Sequence, residues 1–184
     1  NSGEKMVLRD SETFRNLIKA YEGELKASGK YRVYAKRARV EGYIDIAEIF
    51  EETSGNEEHH AEIWLNLLNG GRLPETSRNL ENAHEDEKKE WSEMYEDFAK
   101  KAEQEGFNGI ARLFREVGQI ERHHDYRFEQ LSRDILTNRV FCKEIDRVWI
   151  CMNCGHLAYG DCAPVRCSVC GCPQGFFKLN CEEC

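Results

Sequence analysis

A chain of 184 residues has room for one mid-sized core and one small module. Its net charge of −8 argues against nucleic acid or an anionic membrane as a partner. No apolar run approaches the roughly 20 residues that span a bilayer and no secretory leader pattern opens the chain, so the expectation is a soluble, cytoplasmic protein.

From Ser11 to Glu41 the apolar residues Phe14, Leu17, Ile18, Tyr21, Leu25, Tyr31, Ala35 and Ala38 recur at three and four, the spacing of a long amphipathic helix that Gly42 closes. Asp45 and Glu48 predict a capping box for a second helix running to about Asn69, ahead of Gly70-Gly71. After a linker holding Pro74, a third helix is expected from about Asn79 to Glu105, closed by Gly106, and a fourth from about Asn108 to Thr137. Helices of this length measure roughly 40 Å, the proportions of a four-helix bundle. The Gly42 and Gly106 turns are short and imply antiparallel hairpins, whereas the Gly70–Arg78 connection is long enough to cross the bundle.

The chain repeats itself. Residue n matches residue n + 64 without a gap from Tyr31 to about Leu68: Tyr31 meets Tyr95, Glu41-Gly42-Tyr43 meets Glu105-Gly106-Phe107, and Phe50 meets Phe114. Glu57 then meets Glu121, and His60 meets His124. One helical hairpin is used twice.

Each copy carries Glu-x-x-His, a spacing that points carboxylate and imidazole the same way on a helix. The core stripe of the second helix reads Ile46, Phe50, Thr53, Glu57, His60, Trp64, Leu67, and that of the fourth Ile110, Phe114, Val117, Glu121, His124, Phe128, Leu131. Glu24 interrupts the stripe of the first helix, and Glu87 and Glu90 that of the third. Unpaired buried carboxylates are costly. Five of them with two imidazoles and no stripe Lys or Arg call for metal, and carboxylate with some imidazole suits iron or manganese. A Glu from each of two helices with Glu-x-x-His from each of the others is a di-iron carboxylate arrangement. Glu90 exceeds that six-ligand set, either as a seventh ligand or as a carboxylate that bonds the ligands from behind.

Nine cysteines could signal a disulfide scaffold, but most follow Cys142 in metal-type pairs, and the helical part has none. That distribution favours a reducing compartment. Cys151-Met-Asn-Cys154-Gly and Cys167-Ser-Val-Cys170-Gly are two knuckles of a tetrathiolate site, in which zinc would be structural and iron a one-electron carrier. Trp149, Tyr159 and Phe176-Phe177 are expected to supply the core of this module.

These residues together resemble the rubrerythrins, which join a ferritin-like di-iron bundle to a rubredoxin-like Fe(Cys)4 domain. The likeness covers nearly the whole chain. It rests on Ile46-Ala-Glu-Ile-Phe-Glu-Glu-Thr followed by Glu57-x-x-His60, on Glu87-x-x-Glu90-Trp-Ser-Glu-Met-Tyr95, on Glu121-x-x-His124, and on Ala163-Pro-x-x-Cys167-x-x-Cys170-Gly-x-Pro173. The resemblance implies a mainly α chain with the bundle at residues 1–138, a linker at 139–147 and the rubredoxin-like domain at 148–184. It implies two irons in the bundle and one held by Cys151, Cys154, Cys167 and Cys170. Glu57 and Glu121 would bridge, Glu24 and Glu87 would be terminal ligands, and His124 would hold one iron. Glu90 and His60 would exchange on the other as it is reduced. Tyr31 and Tyr95 match family tyrosines that hydrogen-bond the ligand carboxylates.

The implied activity is a non-haem peroxidase that reduces hydrogen peroxide to water under oxidative stress. Electrons would come from a rubredoxin, a ferredoxin or an NAD(P)H-dependent reductase through the Fe(Cys)4 centre of a head-to-tail homodimer. A ferroxidase using the same di-iron site is the alternative, with a redox sensor or carrier as a third reading. Cys172 stands where the family often has His. With it, Cys162, Cys181 and Cys184 read as incidental thiols, the alternative being a second thiol site, a redox-active pair or a regulatory disulfide, and Cys142 reads as a linker thiol. His59 and His123 point about 100° off the ligand face, and His84 and His156 carry no argument.

Overall fold

The computed structural model describes residues 7–180, so Cys181 and Cys184 lie outside the described residues. The fold is mainly helical, with a small cysteine-rich sheet after the last helix. The chain divides after Pro74 into two compact units.

The first unit is one hairpin, α1 (Glu12–Val40) and α2 (Ile44–Leu68). Ser11 caps α1, its hydroxyl accepting from the Phe14 N–H at 3.1 Å. Gly42 sits in the left-handed region, φ +85°, and lets the Tyr43 N–H reach back to the Ala38 carbonyl at 2.9 Å. That turn delivers the chain straight into α2, whose first bond runs from the Ala47 N–H to the Tyr43 carbonyl. The expected Asp45/Glu48 capping box therefore does not form. Asp45 instead lies in the first turn, at the positive end of the helix dipole.

The seam between α1 and α2 is built from small residues: Ser28, Ala35 and Ala38 face Ala47, Ser54 and Ala61. The Ser54 hydroxyl donates to the Ser28 carbonyl at 2.9 Å, which satisfies a buried polar group. Tyr31, Tyr34 and Phe50 pack beside the seam with ring centroids 5.6 to 6.3 Å apart. A two-helix hairpin has only this one seam. The larger stripe residues expected in a bundle core are consequently not its most buried members, and Ile46 remains 47% exposed.

In the second unit the expected third helix is three segments, α3 (Thr76–Lys89), a π-turn (Glu90–Met94) and α4 (Tyr95–Gln104). It leads through Gly106, φ +85°, into α5 (Asn108–Leu136). Because α3 starts at Thr76, the connection from α2 is residues 69–75. The second turn repeats the first: the Phe107 N–H bonds the Ala102 carbonyl at 2.8 Å. The aromatic trio repeats as Tyr95, Phe98 and Phe114, with centroids 5.6 to 6.4 Å apart.

Charge does not repeat but inverts. Arg39 bonds Glu51 at 2.7 Å in the first hairpin, whereas Glu103 bonds Arg115 at 2.6 Å at the matching positions of the second. The acid of each pair is held below the ordinary carboxylate range by its arginine.

Gly118 takes the seam position of Ser54, and a Cβ there would meet Tyr95 Cβ at 3.3 Å. Gly118→Ala should lower stability where overpacking against Tyr95, about 1–3 kcal/mol, exceeds the roughly 1 kcal/mol of helix propensity gained, read as a shifted urea midpoint at constant slope.

The small module is an antiparallel sheet of order β2-β1-β3, with β1 Cys142–Cys151, β2 Leu157–Cys162 and β3 Phe177–Leu179. Trp149, Cys151, Ala163, Cys167 and Phe177 form its core. The Trp149 indole N–H donates to the Gly160 carbonyl at 3.1 Å. Of the expected core aromatics, Tyr159 is 76% exposed and Phe176 is exposed too. Tyr159 pairs with Val148, one step from Trp149, and in a strand one step changes face.

β1 starts inside the stretch read as linker, and its first residue pairs with Cys162. The two cysteines form a disulfide across the strands, correcting their reading as a linker thiol and an incidental thiol. It pins an irregular stretch, since the register shifts between Cys142 and Arg147. With a separation of 20 residues, its loss should cost about 3 kcal/mol in the chain-entropy model. Melting of Cys142→Ser protein, with thiols counted by alkylation, checks this.

Candidate metal centres

Helical spacing gathers the candidate ligands of each hairpin onto one face. In the first unit, Glu24 from α1 and Glu57 and His60 from α2 offer ligand atoms that all lie within 4.8 Å of one another. His60 Nδ1 is 2.9 Å from Glu57 Oε2 and 3.8 Å from Glu24 Oε2. In the second unit Glu87, Glu121 and His124 form the matching group, with His124 Nδ1 2.7 Å from Glu121 Oε2 and 3.6 Å from Glu87 Oε1. Both imidazoles turn the same nitrogen to the carboxylates, as equal i,i+3 geometry requires.

Among the described residues no Lys or Arg forms an ion pair with these four carboxylates. The strain shows at Glu87, whose carboxyl is held above the ordinary range by burial first and then by the Glu121 charge, with His124 opposing. A bound cation would offset both the burial and the Glu121 charge. The donor chemistry, carboxylate with one imidazole, fits iron.

In the small module the two knuckles have the same backbone. Gly155 and Gly171 both have φ +75°, and their N–H groups bond the Cys151 and Cys167 carbonyls at 2.8 and 2.9 Å. The four sulfurs converge, Cys151 Sγ lying 3.7 Å from Cys170 Sγ and Cys154 Sγ 3.6 Å from Cys167 Sγ. They cannot all ionise unaided. The Cys172 backbone N–H, aided by Asn153, brings the Cys170 thiol down to about 6. At Cys154 the His156 backbone favours the thiolate, but burial and the neighbouring sulfurs outweigh it and push the thiol up to about 12. A metal ion removes that conflict by compensating all four charges. Cys172 lies outside the four and packs against the module core.

The rubrerythrin family model matches residues 15–132. Rubrerythrin-1 of Clostridium acetobutylicum is 37% identical over 96% of this chain and 98% of its own length. The chain belongs to the rubrerythrin family. A putative rubrerythrin of Methanocaldococcus jannaschii is likewise 37% identical, over 96% of this chain and 97% of its own. Nigerythrin in a mixed-valence state, a solved structure, matches at 28% identity over 97% of this chain and 90% of that one, with a TM-score of 0.35. As a rubrerythrin the protein is an iron-binding oxidoreductase of a di-iron class associated with oxidative stress.

Glu90, the carboxylate beyond the expected set of six, belongs to neither group of three. It opens the π-turn, close enough for its charge to raise both Glu87 and the Tyr95 phenol, although burial is the larger cause at each. The repeat explains the turn. Tyr31 follows Glu24 by seven positions, but Tyr95 follows Glu87 by eight. The extra residue is absorbed by widening one helical turn, and such bulges recur at functional sites. In the first hairpin the position three beyond Glu24 is Ala27. The fifth carboxylate occurs only in the half that carries the insertion.

Sequence reasoning missed a second feature of this half. Asp125, on the seam beside His124, bonds both His84 and Trp91. The signal was available, because the repeat sets Asp125 against Ala61. His59 and His123 are exposed, as is His60, and His156 bonds the Ser168 hydroxyl at 3.1 Å.

Proposed function

We propose that the two Glu/Glu/His groups act together as one di-iron centre that reduces hydrogen peroxide to water. The observation that carries this reading is the matched pair of three-ligand groups, with Glu90 beside only one of them. The hairpins would close as residues 1–138 into a ferritin-like bundle, with their exposed apolar residues, Ile46 and Ile110 among them, supplying its interior. Residues 139–147 would tether the rubredoxin-like domain, 148–184.

Glu24, Glu57, Glu87, Glu90, Glu121, His60 and His124 would hold the two irons, and Cys151, Cys154, Cys167 and Cys170 the third. When bound in the ferrous state, the iron pair supplies the two electrons that cleavage of the O–O bond takes up. The protein's own groups manage the protons: H2O2 + 2 e⁻ + 2 H⁺ gives 2 H2O. The carboxylates of the site would absorb the change in charge and relay these protons. Tyr95, packed near Glu87, Glu90 and Glu121, would donate its hydroxyl to a ligand carboxylate, with Tyr31 as its counterpart in the first hairpin.

Electrons would enter one at a time through the tetrathiolate iron from a rubredoxin, a ferredoxin or an NAD(P)H-dependent reductase in the cytoplasm. A head-to-tail homodimer would bring that iron to the partner subunit's bundle. The test is stopped-flow mixing of anaerobically reduced, iron-loaded protein with one equivalent of peroxide. Rapid oxidation of both chromophores, far slower with dioxygen, supports the proposal. An unchanged reduced spectrum with peroxide, together with dioxygen-driven consumption of further ferrous iron, would make the protein a ferroxidase.

A further inference from the structure

The internal repeat provides its own control for what surrounds Glu90. Two side chains, Asp125 and Arg122, lie against Trp91 of the π-turn, and the first hairpin has neither at the matching positions. Asp125 is 8% exposed. Its Oδ2 accepts from the Trp91 indole N–H at 2.7 Å, and its Oδ1 lies 2.5 Å from His84 Nδ1. The Arg122 guanidinium sits 5.3 Å from the centroid of Trp91, closing the other side of the indole.

At the matching positions of the first hairpin, Ala61 replaces Asp125 and Glu58 replaces Arg122. The seam there is closed by the Ser28 and Ser54 hydroxyls, 3.0 Å apart. A buried carboxylate where the repeat has alanine is costly unless both oxygens are used. Here both are.

Their partners bracket the ligand segment. His84 precedes Glu87, and Trp91 directly follows Glu90. Asp125 itself directly follows His124, so one turn of α5 turns Glu121 and His124 to the metal side and Arg122 and Asp125 to Trp91. A widened turn has slack that an α-helical turn lacks. We infer that Asp125 is a positioning residue for Glu90: by holding Trp91 and His84 it fixes the π-turn and thereby the direction in which the Glu90 carboxylate is presented. The inference rests on Glu90 being a ligand, as proposed above.

The test uses the full chain and the variants Asp125→Asn, Trp91→Phe, Glu90→Gln and Asp125→Asn/Glu90→Gln. In metal-free protein, Asp125→Asn and Trp91→Phe should speed amide exchange across residues 90–95 about tenfold or more while α2 is unchanged, the scale of one lost hydrogen bond to a charged group. In iron-loaded protein, Asp125→Asn should retain full iron content and shift the diferric visible spectrum toward that of Glu90→Gln. Peroxide turnover should fall about tenfold, as for other groups that orient a ligand.

The decisive result is the double variant, which should match Glu90→Gln in spectrum and rate, because a residue acting through Glu90 has nothing left to act on. Independent, multiplying effects would overturn the inference, as would faster exchange throughout α3 and α5 with an unaltered spectrum. If unmodified protein fails to turn over peroxide, the proposed activity fails, and the spectral comparison still decides the role of Asp125.

Discussion

Glu121→Gln protein should lose peroxide turnover by about 100-fold or more, since groups that merely orient a ligand already cost 10–100-fold when removed. Glu121 is the carboxylate on which the second group closes, 2.7 Å from His124 Nδ1 and near enough to Glu87 to raise it. An amide at this position removes one negative charge from the donor set. It also changes stability in a direction that separates site from scaffold.

The sign follows from Glu87, whose folded-state pKa lies above its ordinary value. Such a group favours the fold while protonated and loses that contribution as pH rises through its raised pKa. Removing the Glu121 charge brings Glu87 back toward its ordinary value, so metal-free Glu121→Gln should melt at or above the temperature of unmodified protein at neutral pH. Iron content, melting temperature and turnover measured on one preparation check all three. A variant that melts early would mean that Glu121 supports the fold.

Cys170→Ser should unfold the small module while leaving both hairpins intact. The module's buried hydrophobic core is five residues, two of which are ligand cysteines, and a core so small supplies little net stability. Binding at a four-cysteine site contributes on the order of 10 kcal/mol, so the metal carries the fold. Cys170 is the thiol that ionises most readily, brought down to about 6 by the Cys172 N–H, and a serine hydroxyl cannot replace it near neutral pH.

The expected readout is loss of the ferric-thiolate chromophore and of amide protection over residues 148–180, with protection unchanged in α1, α2 and α5. If the proposed electron path holds, a chemically pre-reduced bundle would still react once with peroxide, whereas turnover with a protein donor would stop. Continued turnover with the donor would show that electrons reach the bundle without the tetrathiolate iron.

Spacing and local motifs alone set the elements and picked out the residues that the fold gathers into the two Glu/Glu/His groups and the four-cysteine cluster. Helical periodicity located the helices to within a few residues, because runs of this length leave little ambiguity in a 3.6-residue period. The register of 64 residues identified two hairpins, and Glu-x-x-His and Cys-x-x-Cys are local spacings whose geometry a single helix turn or knuckle dictates. Each Glu/Glu/His group then followed from two helices joined by a three-residue turn.

Tertiary structure decided what depends on packing between distant segments. The seam proved to be Ala and Ser rather than the large apolar stripe, because close approach of two helices selects small side chains. Cys142 met Cys162 through strand register, which cysteine spacing does not encode. The inserted residue before Tyr95 was legible as a change of register, but a helix can absorb such an insertion as a loop, a kink or a bulge. That it became a π-turn held by Asp125 depends on a contact between residues 34 positions apart, Trp91 and Asp125, which only the folded chain brings within hydrogen-bonding reach.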